Sequence, residues 1–228
     1  MPRLERTAAD ILRRAVLFRT LAPASAARLA VGAAVSKSRR GTRLYGSGER
    51  CAGVYTVITG RVMLSVGAAK NASKTIELIG PGGHFGLAAA VLGAPQIAAA
   101  ETLVDSTLLL IPRRDLIDGA AADAGLALLL ATALSREVCG LTADIAAVSL
   151  HSGRERVASY LLQLAGAAGA PQRPVELPTK KGIIASRLGL TPEYFSRMLH
   201  ELTAAGAIAV DGRQITVLDP ARLRQHGV

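Results

Sequence analysis

Ala127, Ala131, Leu134, Val138, Leu141, Ile145 and Val148 follow one another at alternating spacings of four and three. A seam with this 3.5-residue period predicts one helix over about residues 124–150, carrying an apolar stripe too narrow for an ordinary globular face. Another helix like itself covers such a stripe best, so the pattern predicts a parallel two-stranded coiled coil and a homodimer through Leu134, Val138, Leu141, Ile145 and Val148. The alternative is a long helix lying on the body of its own chain, and the small Ala127 and Ala131 permit that approach at one end.

The chain before the seam reads differently. Residues of about 8–36 place Leu12, Val16, Leu17 and Leu21 near helical spacing, with Pro23 as a break, so short packing helices are expected. From about 38 to 115 short runs rich in Val, Ile, Leu and Thr alternate with glycines, which argues for an antiparallel barrel or jelly roll. Within it, 54–58 and 61–66 are read as a hairpin turning at Thr59-Gly60, because glycine supplies the positive φ of a tight turn. A metal-dependent enzyme of jelly-roll type needs clustered histidines with a carboxylate, and this tract holds only His84. A Gly-x-Ser-x-Gly elbow and a phosphate loop are likewise missing from the sequence, so no catalytic or metal site is expected.

After the seam, Ser149 to Gly153 has hinge chemistry, and Arg154 to Leu164 reads as a helix again. Residues 166–178 read as a loop with a short strand at Val175 to Leu177. Thr179 is expected to cap a helix ending at Leu188, followed by a tight turn at Gly189-Leu190. Thr191 then caps a helix that opens on Pro192 and stops at Gly206. At 100° per residue this second helix puts Phe195, Met198, Leu199 and Leu202 on one side and Glu193, Ser196, Arg197 and His200 roughly opposite. Two strands over 207–210 and 213–217, turning at Asp211-Gly212, follow it. Helix, short turn, helix and hairpin is the form of a winged helix-turn-helix. Arg197, Glu193, Ser196 and His200 are the candidates for base edges in double-stranded DNA. Thr191, Lys180, Lys181 and Arg213 are the candidates for phosphates.

The formal net charge of +10 suits a polyanionic partner, although the excess is spread over both halves of the chain. Cys51 and Cys139 are too few for a disulfide framework or an iron-sulfur cluster. Charges interrupt the N-terminal MPRLERTAADILRRAVLF, which reads as an amphipathic helix rather than a signal peptide. No stretch reads as a membrane span, so a cytoplasmic protein with no membrane partner is expected.

The order of β-roll, long helix and winged helix-turn-helix resembles the cyclic-AMP receptor and fumarate-nitrate regulator (Crp/Fnr) family over nearly the whole chain. The stretches GTRLYGSGERCAGVYTVITGRVMLSV, GPGGHFGLAAAVLGAP and KGIIASRLGLTPEYFSRMLHELTAAGAI carry it. The resemblance implies an α+β architecture: an N-terminal antiparallel double-stranded β-helix (jelly roll) sensor over 1–123, a dimerisation helix over 124–150, and a winged helix-turn-helix over 151–228. It also implies contact with RNA polymerase. Glu193, Ser196 and Arg197 form a Glu-x-x-Ser-Arg pattern similar to the fumarate-nitrate branch, and the recognition helix is most similar to regulators of dissimilatory nitrate respiration. That branch implies an inverted repeat with TTGAT-like half-sites. A sensor or adaptor that has kept the fold without specific DNA binding is the rival.

The sensor side departs from the cyclic-nucleotide pattern. Leu87 stands where a ribose-binding Glu is expected, Ile97 and Ala98 where a phosphate-binding Arg and Ser are expected, and Cys139 and Gly140 where a base-contacting Thr-Ser pair is expected. A phosphate buried without a cation costs several kcal/mol, which argues against cyclic AMP. Leu87, Ile97, Ala98 and Cys139 are then the lining of an apolar effector pocket. A signal carried by haem b would need an axial ligand, for which His84 is the candidate, ahead of His151 and Cys139.

Overall fold

The computed structural model describes residues 8–67, 73–167 and 173–225. Residues 1–7 of the N-terminal helix and 168–172 of the loop read over 166–178 lie outside them. Contacts divide the chain into two compact units, Met1–Cys139 and Gly140–Val228.

The first unit opens with two helices, α1 (Ala8–Arg14) and α2 (Pro23–Gly32), Pro23 lying in the first turn of the second. There follow β1 (Ala34–Ser38), β2 (Arg43–Tyr45), β3 (Gly53–Thr59), β4 (Val62–Val66), β5 (Lys74–Ile79), β6 (His84–Phe85), helix α3 (Leu87–Leu92), β7 (Ala99–Thr102), β8 (Ser106–Pro112) and helix α4 (Arg113–Ala122). The strands form two four-stranded antiparallel sheets ordered β1-β8-β3-β6 and β2-β7-β4-β5. Alternation along β8 shows how one sheet serves two cores. Leu108 meets Val57, Phe85, Tyr45, Val62 and Ile79 between the sheets, while Leu109 and Ile111 point the other way into a core built with Phe18, Leu29, Leu87 and Leu116 from the helices.

The hairpin expected at Thr59-Gly60 does not form. β3 and β4 belong to different sheets, because Val57 and Val62 both enter the core between them and the chain must turn a corner to bury both. Gly60 is required there for two reasons. Its φ is +93°, and a Cβ would lie 2.2 Å from Ser106 Oγ, the atom that accepts the Arg61 N–H at 3.1 Å. The strand pattern also hid α3, since a short run such as LAAAVL fits either period, and α4 begins where that tract is read to end.

Helix α5 (Ala124–Leu150) runs from the first unit into the second. Asp123 caps it: Oδ1 accepts the N–H of Gly125 at 2.8 Å and of Leu126 at 3.3 Å, and Oδ2 accepts the Ser25 hydroxyl of α2. Leu126, Leu130 and Ala133 are buried, one residue ahead of the expected seam, whereas Val138, Leu141, Ile145 and Val148 are 44–68% exposed. Contrary to expectation, α5 is long and apolar enough to cross a membrane by length and composition alone. Its charged Arg136 and Glu137 sit mid-helix, and its buried residues pack into the core of the first unit.

The second unit continues with α6 (Gly153–Ala167), β9 (Val175–Glu176), α7 (Lys181–Arg187), α8 (Pro192–Ala204), β10 (Ile208–Asp211), β11 (Gln214–Val217) and α9 (Pro220–Gln225). Its sheet is ordered β10-β11-β9, antiparallel throughout. Phe195, Leu161, Leu177, Ile184, Ile215 and Leu223 are fully buried at its centre. A capping box starts α6, in which Glu155 N–H donates to Ser152 Oγ at 3.2 Å and Ser152 N–H returns a bond to the Glu155 carboxylate. Two local expectations shift by a residue. Lys180, extended and without a side-chain cap bond, precedes α7, while Thr179 is turned inward and buried. The β10–β11 turn is Gly212-Arg213, with Asp211 paired to Gln214.

Candidate nucleic-acid interface

α7, the turn at Gly189 and α8 are fixed by burial and capping together. Ile184 and Ala185 bury one face of α7, and Gly189 at φ +67° reverses the chain. Thr191 then takes an extended conformation and its hydroxyl accepts the Tyr194 N–H at 3.2 Å, starting α8 on Pro192. Phe195, Met198, Leu199 and Leu202 are all at most 4% exposed and anchor the helix. On the opposite side Glu193, Arg197 and His200 are exposed and Ser196 is half-buried. The four side chains expected to face base edges thus share the outward face of one anchored helix. Their types supply a carboxylate acceptor, a hydroxyl, a guanidinium and an imidazole, a set able to meet both donors and acceptors in a major groove.

The phosphate candidates divide. Lys180 is exposed at the head of α7, Lys181 is half-buried, and Thr191 is exposed with its hydroxyl engaged in capping. Arg213 folds back from the wing turn onto β9, donating to Leu177 O at 2.7 Å and pairing with Glu176 at 3.3 Å.

Two partners of Arg197 escaped the sequence reading. Its Cζ lies 4.9 Å from the centre of the Tyr194 ring, and its Nε lies 3.9 Å from Glu201 Oε1. Glu201 Oε2 in turn pairs with Arg154 of α6. The spacing of three and four residues about Arg197 was the available signal.

The expected effector lining is not brought together. Leu87 is buried in the core under the helices, whereas Ile97 is 73% exposed and Cys139 is exposed on α5. Ala98 is half-buried beside Ile97. The physical reason is the bend that precedes β7: Ile97 points outward there, while the neighbouring Gln96 turns in, is 5% exposed, and leaves its amide nitrogen without a hydrogen-bond partner.

His84 does not stand as a free axial ligand. It pairs with Thr56 across β6 and β3, and its Nε2 lies 3.1 Å from Glu137 Oε1 of α5, an ion-pair distance without hydrogen-bond alignment. Tyr45, Tyr55 and Phe85 occupy the nearby space between the sheets, with the Tyr55 and Phe85 rings stacked at 5.1 Å. Burial raises the Tyr45 hydroxyl well above its ordinary pKa, and Tyr55 and the Cys51 thiol more modestly. No group of three or more His, Cys, Asp or Glu gathers among the described residues. These surroundings do not fit haem ligation by His84.

Comparison with known proteins agrees with this division of labour. Residues 36–123 match the model of a cyclic nucleotide-binding domain, and residues 155–226 that of a Crp-like helix-turn-helix domain. The nitrogen fixation regulation protein FixK of Rhizobium meliloti is 28% identical over 204 residues, which span 89% of each chain. The CRP-like cAMP-activated global transcriptional regulator of Mycobacterium tuberculosis is 24% identical over 95% of this chain and 98% of its own. The structure of FixK2 from Bradyrhizobium japonicum superposes with a TM-score of 0.77, at 28% identity, over 86% of this chain and 98% of that one. With both domain models matched in the order of the fold, this chain belongs to the Crp/Fnr family of DNA-binding transcription regulators.

Proposed function

We propose that this regulator acts as a cytoplasmic homodimer that reads an inverted repeat with TTGAT-like half-sites through α8, and that it contacts RNA polymerase from the promoter. One observation carries the reading: Glu193, Arg197 and His200 are exposed, with Ser196 beside them, on the face opposite four buried anchors. Arg197 is assigned the guanine of each half-site, since a guanidinium can bond O6 and N7 together. Glu193 is assigned a cytosine amino group, with Ser196 and His200 adapting to neighbouring edges. Lys180, Lys181 and Thr191 flank this face and are assigned phosphates. Pairing of two chains along Val138, Leu141, Ile145 and Val148 covers the apolar stripe that a single chain exposes and supplies two reading heads for a two-fold site. The departures at Leu87, Ile97 and Ala98, which supply neither a carboxylate for ribose nor a cation for phosphate, support a signal other than cyclic AMP.

Arg197→Ala should weaken binding to the intact repeat by about 1–3 kcal/mol per half-site. It should leave binding to a repeat with its G·C pairs replaced nearly unchanged. Fluorescence anisotropy on the two duplexes measures this, and equal loss on both would overturn the assignment.

A further inference from the structure

Resting on the assignment of Arg197 to a base edge, we infer that the head of α6 sets the orientation of that guanidinium, making Arg154, Glu201 and Tyr194 positioning residues for sequence discrimination. Tyr194, Arg197 and Glu201 lie along one ridge of α8 at spacings of three and four. A long side chain on a helix leans toward the N-terminus, so Arg197 is drawn back over the preceding turn and its Cζ comes to lie 4.9 Å from the Tyr194 ring centre. From the following turn Glu201 faces Nε at 3.9 Å, too long for a hydrogen bond but close enough for attraction between opposite charges.

Both supports are themselves held by α6. Glu201 spends its second oxygen on Arg154, the second residue of that helix. Tyr194 packs against Gly153, the first residue, where a Cβ would stand 2.7 Å from the ring and 2.9 Å from Leu190. The capping box of Ser152 and Glu155 fixes this same turn. Arg197 remains 63% exposed, so the contacts narrow its orientations without withdrawing it from the face. A free arginine must lose its rotamer freedom when it meets a base, and one already confined loses less. A turn lying three residues after the end of α5 therefore acts on the arginine assigned to the guanine.

The test measures the ratio of affinities for the intact repeat and for the repeat with its G·C pairs replaced, in full-length protein. Arg154→Ala and Glu201→Gln should each lower that ratio roughly two- to fivefold, the range of one exposed charge or ring contact. Affinity for scrambled duplex should stay unchanged, and the double variant should lose no more than either single. Tyr194→Phe, which keeps the ring, should retain the ratio, and Tyr194→Leu should lower it. In the Arg197→Ala background all these effects should vanish. A drop in affinity for every duplex alike, or an effect on the ratio that survives Arg197→Ala, overturns the positioning role. If Arg197→Ala alone leaves the ratio intact, the base-reading assignment falls and this inference with it. If Arg197→Ala collapses the ratio while Arg154→Ala and Glu201→Gln do not, only the positioning role falls.

Discussion

Asp123 shows how one side chain can join two elements, and its chemistry is testable by pH. It accepts two N–H groups at the start of α5 and the Ser25 hydroxyl of α2, while Arg28 donates to that hydroxyl oxygen at 3.0 Å. These bonds, the one from Ser25 foremost, hold the carboxyl below its ordinary pKa. The stabilisation is present above the pKa of the unfolded carboxyl, about 4, and is lost as pH falls through the lower folded value. Urea unfolding should therefore find Asp123→Ala less stable than the parent at neutral pH, with the gap closing in acid; a gap independent of pH would contradict this. The division of α8 into a buried and an exposed face was legible residue by residue, because Phe195 and Arg197 differ in kind and helical spacing separates them. The pairing of Glu201 with Arg154 and Arg197, and the unpartnered buried amide nitrogen of Gln96, were not legible. Such a partner, or the lack of one, is set by the fold and invisible in an isolated residue.

At the scale of elements, α5 carries two apolar stripes with different destinations. Leu126, Leu130 and Ala133 pack inward, and the seam over Val138, Leu141, Ile145 and Val148 faces out. Period alone revealed the seam. It could not separate the stripes over 126–134, where LALLLATAL is apolar almost all round and either face satisfies a helical pattern. The corner at Gly60 went unread for a related reason: the same Thr-Gly chemistry serves a hairpin and a crossing between sheets, and pairing with distant strands decides. The outward stripe makes its own prediction. Paired Ile145→Asp and Val148→Asp place like charges along a coiled-coil seam, so sedimentation equilibrium should report monomers where the parent is dimeric. Circular dichroism should keep its helical signal, since neither residue is buried in one chain. A dimer that survives both substitutions would remove the seam from the interface.

For the molecule as a whole, the net charge of +10 and the basic residues flanking α8 make binding to duplex DNA an ion-exchange reaction. The order of domains was legible because each uses a different period: alternation and glycine turns in the β-roll, heptads in α5, capped short helices at the end. The effector was not, since a pocket depends on which side chains the fold turns inward, and of the four expected to line it Leu87 is buried in a core while Ile97 and Cys139 are exposed. The most direct test of the central claim, that α8 reads bases, is the affinity of the full-length protein for an inverted TTGAT-type repeat and for a scrambled duplex of equal composition, over a range of salt. Both affinities should fall steeply with salt, and at each concentration the repeat should be preferred by about a thousandfold or more. Equal affinity for the two duplexes at every salt concentration would contradict it.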